Sequence, residues 1–248
     1  MRVDVQAAAG TDTATGTFDG KALPFIRSAQ GSFYALLGVD MDTRPGTYPL
    51  AVKLWHSGRV SRTLRQDITV RDADFPVQEL TLEPAKVFPD SAALKRIDRE
   101  NKLRNSKWSH WAEEAYWGRR FIPPLDGELK RFGHRRIING APRSPHSGVD
   151  ISADEGEPVI CPADGRVILT GDFFFSGKSV YLDHGLGLIG MFFHLSRIDV
   201  AEGDTVRQGQ VLGAVGSTGR ASGPHLHWGI RYRGSRIDPS ALLELQLE

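Results

Sequence analysis

Four histidines and one aspartate in the second half of the chain are of the right type and spacing to activate water on a metal. The first group is Pro145-His146-Ser147-Gly148-Val149-Asp150, an H-x-x-x-D pair. Its serine, glycine and β-branched neighbours make a poor helix. In an extended chain residues i and i+4 share a face, so imidazole and carboxylate point the same way. The second is Gly223-Pro224-His225-Leu226-His227-Trp228-Gly229. On a strand, His225 and His227 share one face and Leu226 and Trp228 the other. The third, Met191-Phe192-Phe193-His194-Leu195-Ser196, adds His194 after an aromatic run. Each has a bland reading alone: a chance pair, a solvated strand face, a histidine packed in a core. Together they match a need. Catalytic zinc takes three nitrogen or oxygen ligands and keeps a position open for water, whose pKa falls toward about 7 on the metal. Peptide hydrolysis also requires a base and a donor to the oxyanion. Four histidines and Asp150 supply three ligands and two helpers. Spacing alone leaves open whether His225 or His227 is a ligand.

These residues must be held by β-structure. From about Phe121 onward, Gly and Pro clusters alternate with short apolar runs at Glu157 to Cys161, Gly165 to Leu169, Ser179 to Leu182, Leu188 to His194, Gln210 to Val215 and His225 to Tyr232. The gaps are too short for crossover helices, so the strands are predicted to pair antiparallel. The first 85 residues also read as β, with Ser32 to Val39, Gly46 to Trp55 and Arg62 to Val70 rich in β-branched and aromatic residues. Pro49 predicts an edge strand or a late strand start, and the strand spacing predicts a small β-sandwich. Between these regions Leu94, Ile97, Leu103 and Trp108 recur at helical spacing. Ser91 is the expected cap, and a break is expected near Asn105-Ser106. Trp108, Trp111 and Trp117 are expected to pack this connector on a neighbouring domain, or to wall a ligand cleft. The fold class is therefore mainly β: a sandwich-like domain over 1–85, a helical connector over 86–118 and an antiparallel domain over 119–248.

The motifs resemble the lysostaphin/LytM-type zinc peptidases, which hydrolyse peptide bonds in bacterial peptidoglycan. The resemblance covers about Phe121 to Leu243. It rests on an ordered set: Asn139-Gly140, Arg143 to Asp150, Leu182-Asp183-His184-Gly185, His194-Leu195-Ser196, Gly213 to Gly216, Thr218-Gly219-Arg220, Gly223 to Gly229 and Asp238-Pro239. It implies zinc held by His146, Asp150 and His227, with His194 and His225 as the catalytic pair, in a narrow groove of an antiparallel sheet. Which of the pair is the base stays open. Phe192 stands where many members carry tyrosine. The family cuts both D-alanyl–diaminopimelate cross-links and glycine bridges. Some relatives have lost ligands and instead regulate cell-wall amidases; the intact set here implies an enzyme. A cell-wall substrate implies a periplasmic or extracellular protein whose signal peptide lies outside this chain, because the first residues lack an apolar leader run. Two segments precede the site, so an intramolecular cover of the groove is expected as a latency device.

Composition is consistent with this. The 248 residues are 40% hydrophobic and 25% charged, which places the chain among globular proteins and not disordered ones. With 31 basic and 30 acidic residues the net charge is +1, which gives no electrostatic case for a nucleic-acid partner. No apolar run reaches the roughly 20 residues that span a bilayer. The single cysteine, Cys161, forbids an internal disulfide and reads as a buried thiol. His184 is expected to support a hairpin turn. Asp183 is a candidate partner behind a site histidine, Arg220 a candidate substrate contact, and His134 carries no assigned role.

Overall fold

The computed structural model describes residues 1–245 other than 9, 29, 109, 110 and 119, and of 85 and 86 the backbone alone is described. The expected domain boundary at residue 119 and the extreme C-terminus, 246–248, lie outside the described residues. The chain forms two compact units, Met1–Asp74 and a second from Phe75 onward.

The first unit is a small sandwich. A four-stranded sheet runs in the order Lys21–Pro24, Thr13–Phe18, Gly46–His56, Arg59–Val70. A three-stranded sheet joins Arg2–Val5, Phe33–Leu36 and Ile26–Arg27. Leu50, Val52 and Leu54 alternate inward, as period-two side chains must, and bury against Ala14, Val5, Phe33 and Ala35. Pro49 is not on an edge strand, and the strand begins before it, at Gly46. Pairing with Thr13–Phe18 stops at Leu50, so Pro49 lies just past the end of that ladder, where its carbonyl accepts from the Asp19 amide and its missing N–H costs little.

The second unit carries an antiparallel sheet in the order Gly148–Ser152, His225–Tyr232, Leu188–Leu195, Gly177–Asp183, Gly165–Phe173, Thr205–Val206. Leu226, Trp228 and Ile230 are fully buried on one face of their strand, which turns His225 and His227 to the other. Val77–Leu80 pairs parallel with Arg135–Ile138, so this early strand belongs to the second unit. The helix Ser91–Lys107 is capped by the side chain of Asp90, which accepts from the Ala93 amide. Asp90, not Ser91, therefore closes its first turn, and its end at Lys107 falls close to the expected break. Trp108 packs edge-on to Tyr181, centroids 5.7 Å apart, and Trp117 packs near Phe121 at 6.1 Å. Neither lines the cleft described next. Cys161 is buried, and burial pushes its thiol up to about 12.

Candidate metal centre and active site

Strand register assembles the centre. Asp150 stands directly opposite His227, and Phe193 opposes His227 on its other side, so the three form a row across adjacent strands. His146 precedes the first of these strands. Its amide donates to the His134 carbonyl at 2.9 Å and its carbonyl accepts from Gly133 at 2.8 Å, which gives His134 a backbone role in holding the loop.

The ligand atoms converge. His146 Nε2 lies 2.8 Å from His227 Nδ1 and 3.0 Å from Asp150 Oδ1. His227 Nδ1 lies 3.1 Å from the same oxygen. A neutral imidazole has one N–H. That of His146 goes from Nδ1 to the Arg131 carbonyl at 2.8 Å, so Nε2 presents a lone pair. At most one proton, on His227 Nδ1, is then shared by two acceptors, His146 Nε2 and Asp150 Oδ1, whereas a cation satisfies all three atoms. The His–Asp–His donor set, with an imidazole oriented by a backbone carbonyl, fits a zinc site.

Burial acts on the charges. It pushes His146 down to about 4, against the pull of Asp150, and it lowers His227 in the same way. Both imidazoles are therefore neutral at neutral pH, the state a metal ligand requires. Burial also pushes the Asp150 carboxyl up, but the two imidazoles beside it outweigh this and hold it below the usual carboxylate range. The outer oxygen, Oδ2, faces Arg131 at 3.5 Å and Arg136 at 3.9 Å.

The other two histidines sit beside the triad. Ring centroids of His194 and His225 are 4.9 Å apart, and His225 Nε2 is 3.7 Å from Asp150 Oδ1. Each is oriented by a backbone carbonyl at 2.8 Å: His194 Nδ1 donates to Thr218 and His225 Nδ1 to Gly223. In that tautomer each leaves Nε2 unprotonated. Burial, then the neighbouring imidazoles, lowers His194 to about 3. Strict alternation would send Phe193 and His194 to opposite faces. A bulge prevents this: Val180 pairs with Phe192 and Lys178 with Leu195, so one residue opposes two. His194 takes φ 65° there, a left-handed conformation costly for histidine. Both Phe193 and His194 thereby line the cleft.

A protein-family model, Peptidase family M23, matches residues 144–239, a span that holds all five residues. A crystal structure from Pseudomonas aeruginosa described as a peptidase M23 is 32% identical with a TM-score of 0.73, and the match covers 98% of this chain and 92% of that one. The chain belongs to peptidase family M23. Within that family, DD-carboxypeptidase/endopeptidase Mpg of Neisseria meningitidis is 43% identical over 94 residues, which is 38% of this chain and 22% of that protein. Peptidoglycan DD-endopeptidase ShyA of Vibrio cholerae is 38% identical over 119 residues, or 46% of this chain and 28% of that protein. The match thus spans only about a quarter of these curated relatives.

The M23 site also uses residues whose roles the sequence did not reveal. Thr218 orients His194 through its carbonyl. Its hydroxyl accepts from the Lys178 amide and donates to the Leu195 carbonyl. Phe193 stacks on His227 with centroids 5.3 Å apart and planes 9° apart. Thr218 lies in the Thr218-Gly219-Arg220 motif, but only the folded loop shows that its carbonyl meets His194. His184 lies apart, buried and edge-on to Phe121, with Nδ1 donating to the Asp164 carbonyl. Its amide and carbonyl hold the turn to Leu188 and the Tyr116 amide. Asp183 accepts from the Ala112 and Gly185 amides. It anchors backbone and supports no site histidine, which corrects the reading of it as a partner behind the metal.

Proposed function

We propose that the chain is a zinc-dependent endopeptidase that hydrolyses peptide bonds in bacterial peptidoglycan, in its stem peptides or cross-links. The convergence of His146, Asp150 and His227 beside His194 and His225 carries the reading. Family membership and the names of the two curated relatives support it. Zinc held by His146, Asp150 and His227 would polarise the scissile carbonyl and lower the pKa of a water. His194 and His225 divide the remaining work. An unprotonated Nε2 takes a proton from the attacking water, and the resulting imidazolium returns it to the leaving amine or donates to the oxyanion. Arg131 and Arg136 hold the outer oxygen of Asp150 so that its inner oxygen stays turned to the imidazoles. A peptidoglycan substrate implies a periplasmic or extracellular location, and no helix among the described residues is long and apolar enough to cross a membrane.

The test is to incubate zinc-loaded protein with purified sacculi and identify released fragments by mass spectrometry. New peptide amino termini are expected, and none from chelator-stripped protein. No release by zinc-loaded protein would refute the reading.

A second reading concerns access. Gln78, Leu80, Leu82 and Arg104 line the same cleft as the triad and all precede the segment matched by the family model. We infer that this segment restricts entry and makes the enzyme partly latent. A variant that loosens the segment without touching the site tests it, as set out for Asn139 below.

A further inference from the structure

The cleft over the metal triad, of about 210 Å³, is cationic well beyond what the triad requires. Arg104, Arg131, Arg136 and Arg220 line it, and Asp150 is the one carboxylate among its lining residues. Arg131 and Arg136 already face Asp150. Arg220 does not. Its guanidinium carbon sits 4.4 Å over the Phe175 ring, and among the described residues it forms no ion pair. Nε of Arg136 is buried without a hydrogen-bond partner. Burial, then the nearby Arg136 and Arg143, pushes the Arg220 guanidinium down to about 10, so the cations repel one another where water is scarce.

The loop holding Arg220 is locked in place. Its amide donates to the Phe175 carbonyl at 2.8 Å. A Cβ on Gly219, whose φ is 71°, would lie 2.3 Å from the Gly177 nitrogen and 2.6 Å from the Phe175 oxygen, so only glycine allows this approach. The Thr218-Gly219-Arg220 sequence thus orients His194 with its first residue, closes on the neighbouring hairpin with its second and aims a guanidinium with its third. A planar guanidinium, fixed and without an anion, suits a carboxylate held through two parallel hydrogen bonds.

We propose that Arg220, backed by Arg136, is an anion subsite that holds a free carboxylate of the substrate close to the scissile bond. This rests on the peptidase reading above. It selects peptides bearing such a carboxylate and disfavours neutral glycine bridges, which have none nearby. The carboxylate has two chemical sources: the C-terminus of a peptide trimmed from its end, or the α-carboxylate of a diamino acid acylated through its side chain in a cross-link.

The test measures binding by calorimetry to the zinc-loaded full chain. Two uncleavable ligands carry a ketomethylene link in place of the scissile amide. One ends in a free D-alanine carboxylate; the other carries the side-chain-linked diamino acid. Each is compared with its carboxamide. The free carboxylate should bind at least about 10-fold tighter in one or both pairs, the size of a charge-assisted contact. Arg220→Gln should abolish that difference with zinc content and melting temperature unchanged, and Arg220→Lys, which keeps charge but not the fork, should retain part of it. A preference in the first pair alone assigns the subsite to end-trimming, and in the second alone to cross-links. Equal binding of acid and amide by the unaltered protein, or an undiminished preference in Arg220→Gln, overturns the proposal. Cleavage of the amide-linked counterparts is followed in parallel. Its complete absence would sink the peptidase reading, while the binding data still decide the subsite.

Discussion

Gly148 leaves the space that the imidazole of His227 fills: a Cβ at 148 would lie 2.7 Å from His227 Nε2 and 2.5 Å from the Trp228 carbonyl oxygen. Gly148 pairs with Gly229 across the strands, whose Cα would lie 2.9 Å from the same Cβ, so the partner strand's backbone blocks relief. Gly148→Ala should displace His227 or spread the strands. Overpacking of this kind costs about 1–3 kcal/mol, and a disturbed ligand typically loses roughly 10–100-fold in metal affinity. Urea unfolding of metal-free protein and chelator competition for zinc measure the two effects. Unchanged zinc affinity would show that Nε2 has room the geometry does not give it.

His146→Ala and His225→Ala should separate ligand from helper. His146 is buried with both ring nitrogens engaged, and its loss should remove stoichiometric zinc together with activity. His225 is partly exposed, and its ring is oriented by the Gly223 carbonyl through Nδ1. Its loss should leave zinc near one per chain and lower kcat by roughly 100- to 10,000-fold, the usual range for a proton-transfer group. Metal content by mass spectrometry beside kcat decides this. Full hydrolysis by the His225 variant would end its assigned role.

The ligand row was legible because it depends on strand periodicity and residue type, both local. His225 and His227 had to share a face once Leu226 and Trp228 were given to the core. His194 was legible as a candidate but not in its geometry, because the bulge that re-aims it arises from pairing with Lys178 and Val180, distant in sequence. The strand Val77–Leu80 read simply as β; that it joins the second unit in a parallel pair with Arg135–Ile138 is a tertiary outcome. Thr218 was visible only as a motif letter, and Arg220 as a candidate substrate contact without a position. Their roles come from the Gly219 contact with Gly177, which no spacing rule encodes.

His184 should make stability depend on pH. Burial, set against the Asp164 carbonyl, lowers it to about 4, whereas in the unfolded chain it titrates near about 6.5. Between these values the unfolded state binds the extra proton, so stability rises with pH. The contribution is complete above about pH 6.5 and is lost as pH falls toward 4; it amounts to about 3 kcal/mol. His184→Met should reduce the stability difference between pH 7.5 and pH 4 by about that amount. Parallel pH profiles for the two proteins, from urea unfolding without metal, would mean that His184 takes its proton while folded.

Thr218→Val tests the orientation of His194. The valine keeps volume but cannot accept from the Lys178 amide or donate to the Leu195 carbonyl. Leaving such buried groups unpaired costs about 1–3 kcal/mol each. The Thr218 carbonyl then loses its fixed position against His194 Nδ1. The expected signature is a fall in kcat with zinc retained and KM little changed. Loss of zinc in parallel with kcat would instead tie Thr218 to the fold of the whole centre.

Asn139 offers the test of restricted access. Its side chain clamps the backbone of Leu82, accepting from the Leu82 amide and donating to the Leu82 carbonyl, each at 2.9 Å. Leu82 and Leu80 line the metal cleft, while Asn139 itself does not. Asn139 has φ 50°, so Asn139→Gly keeps a backbone that glycine tolerates and deletes only the clamp. If the segment limits entry, its release should raise kcat/KM on sacculi more than on a short soluble peptide, because only the bulky substrate is held out. Stability should fall by about 1–3 kcal/mol for the two lost bonds. The ratio of the two kcat/KM values cancels any general loss of active protein. An unchanged or lower ratio would show that the wall shapes the cleft without gating it.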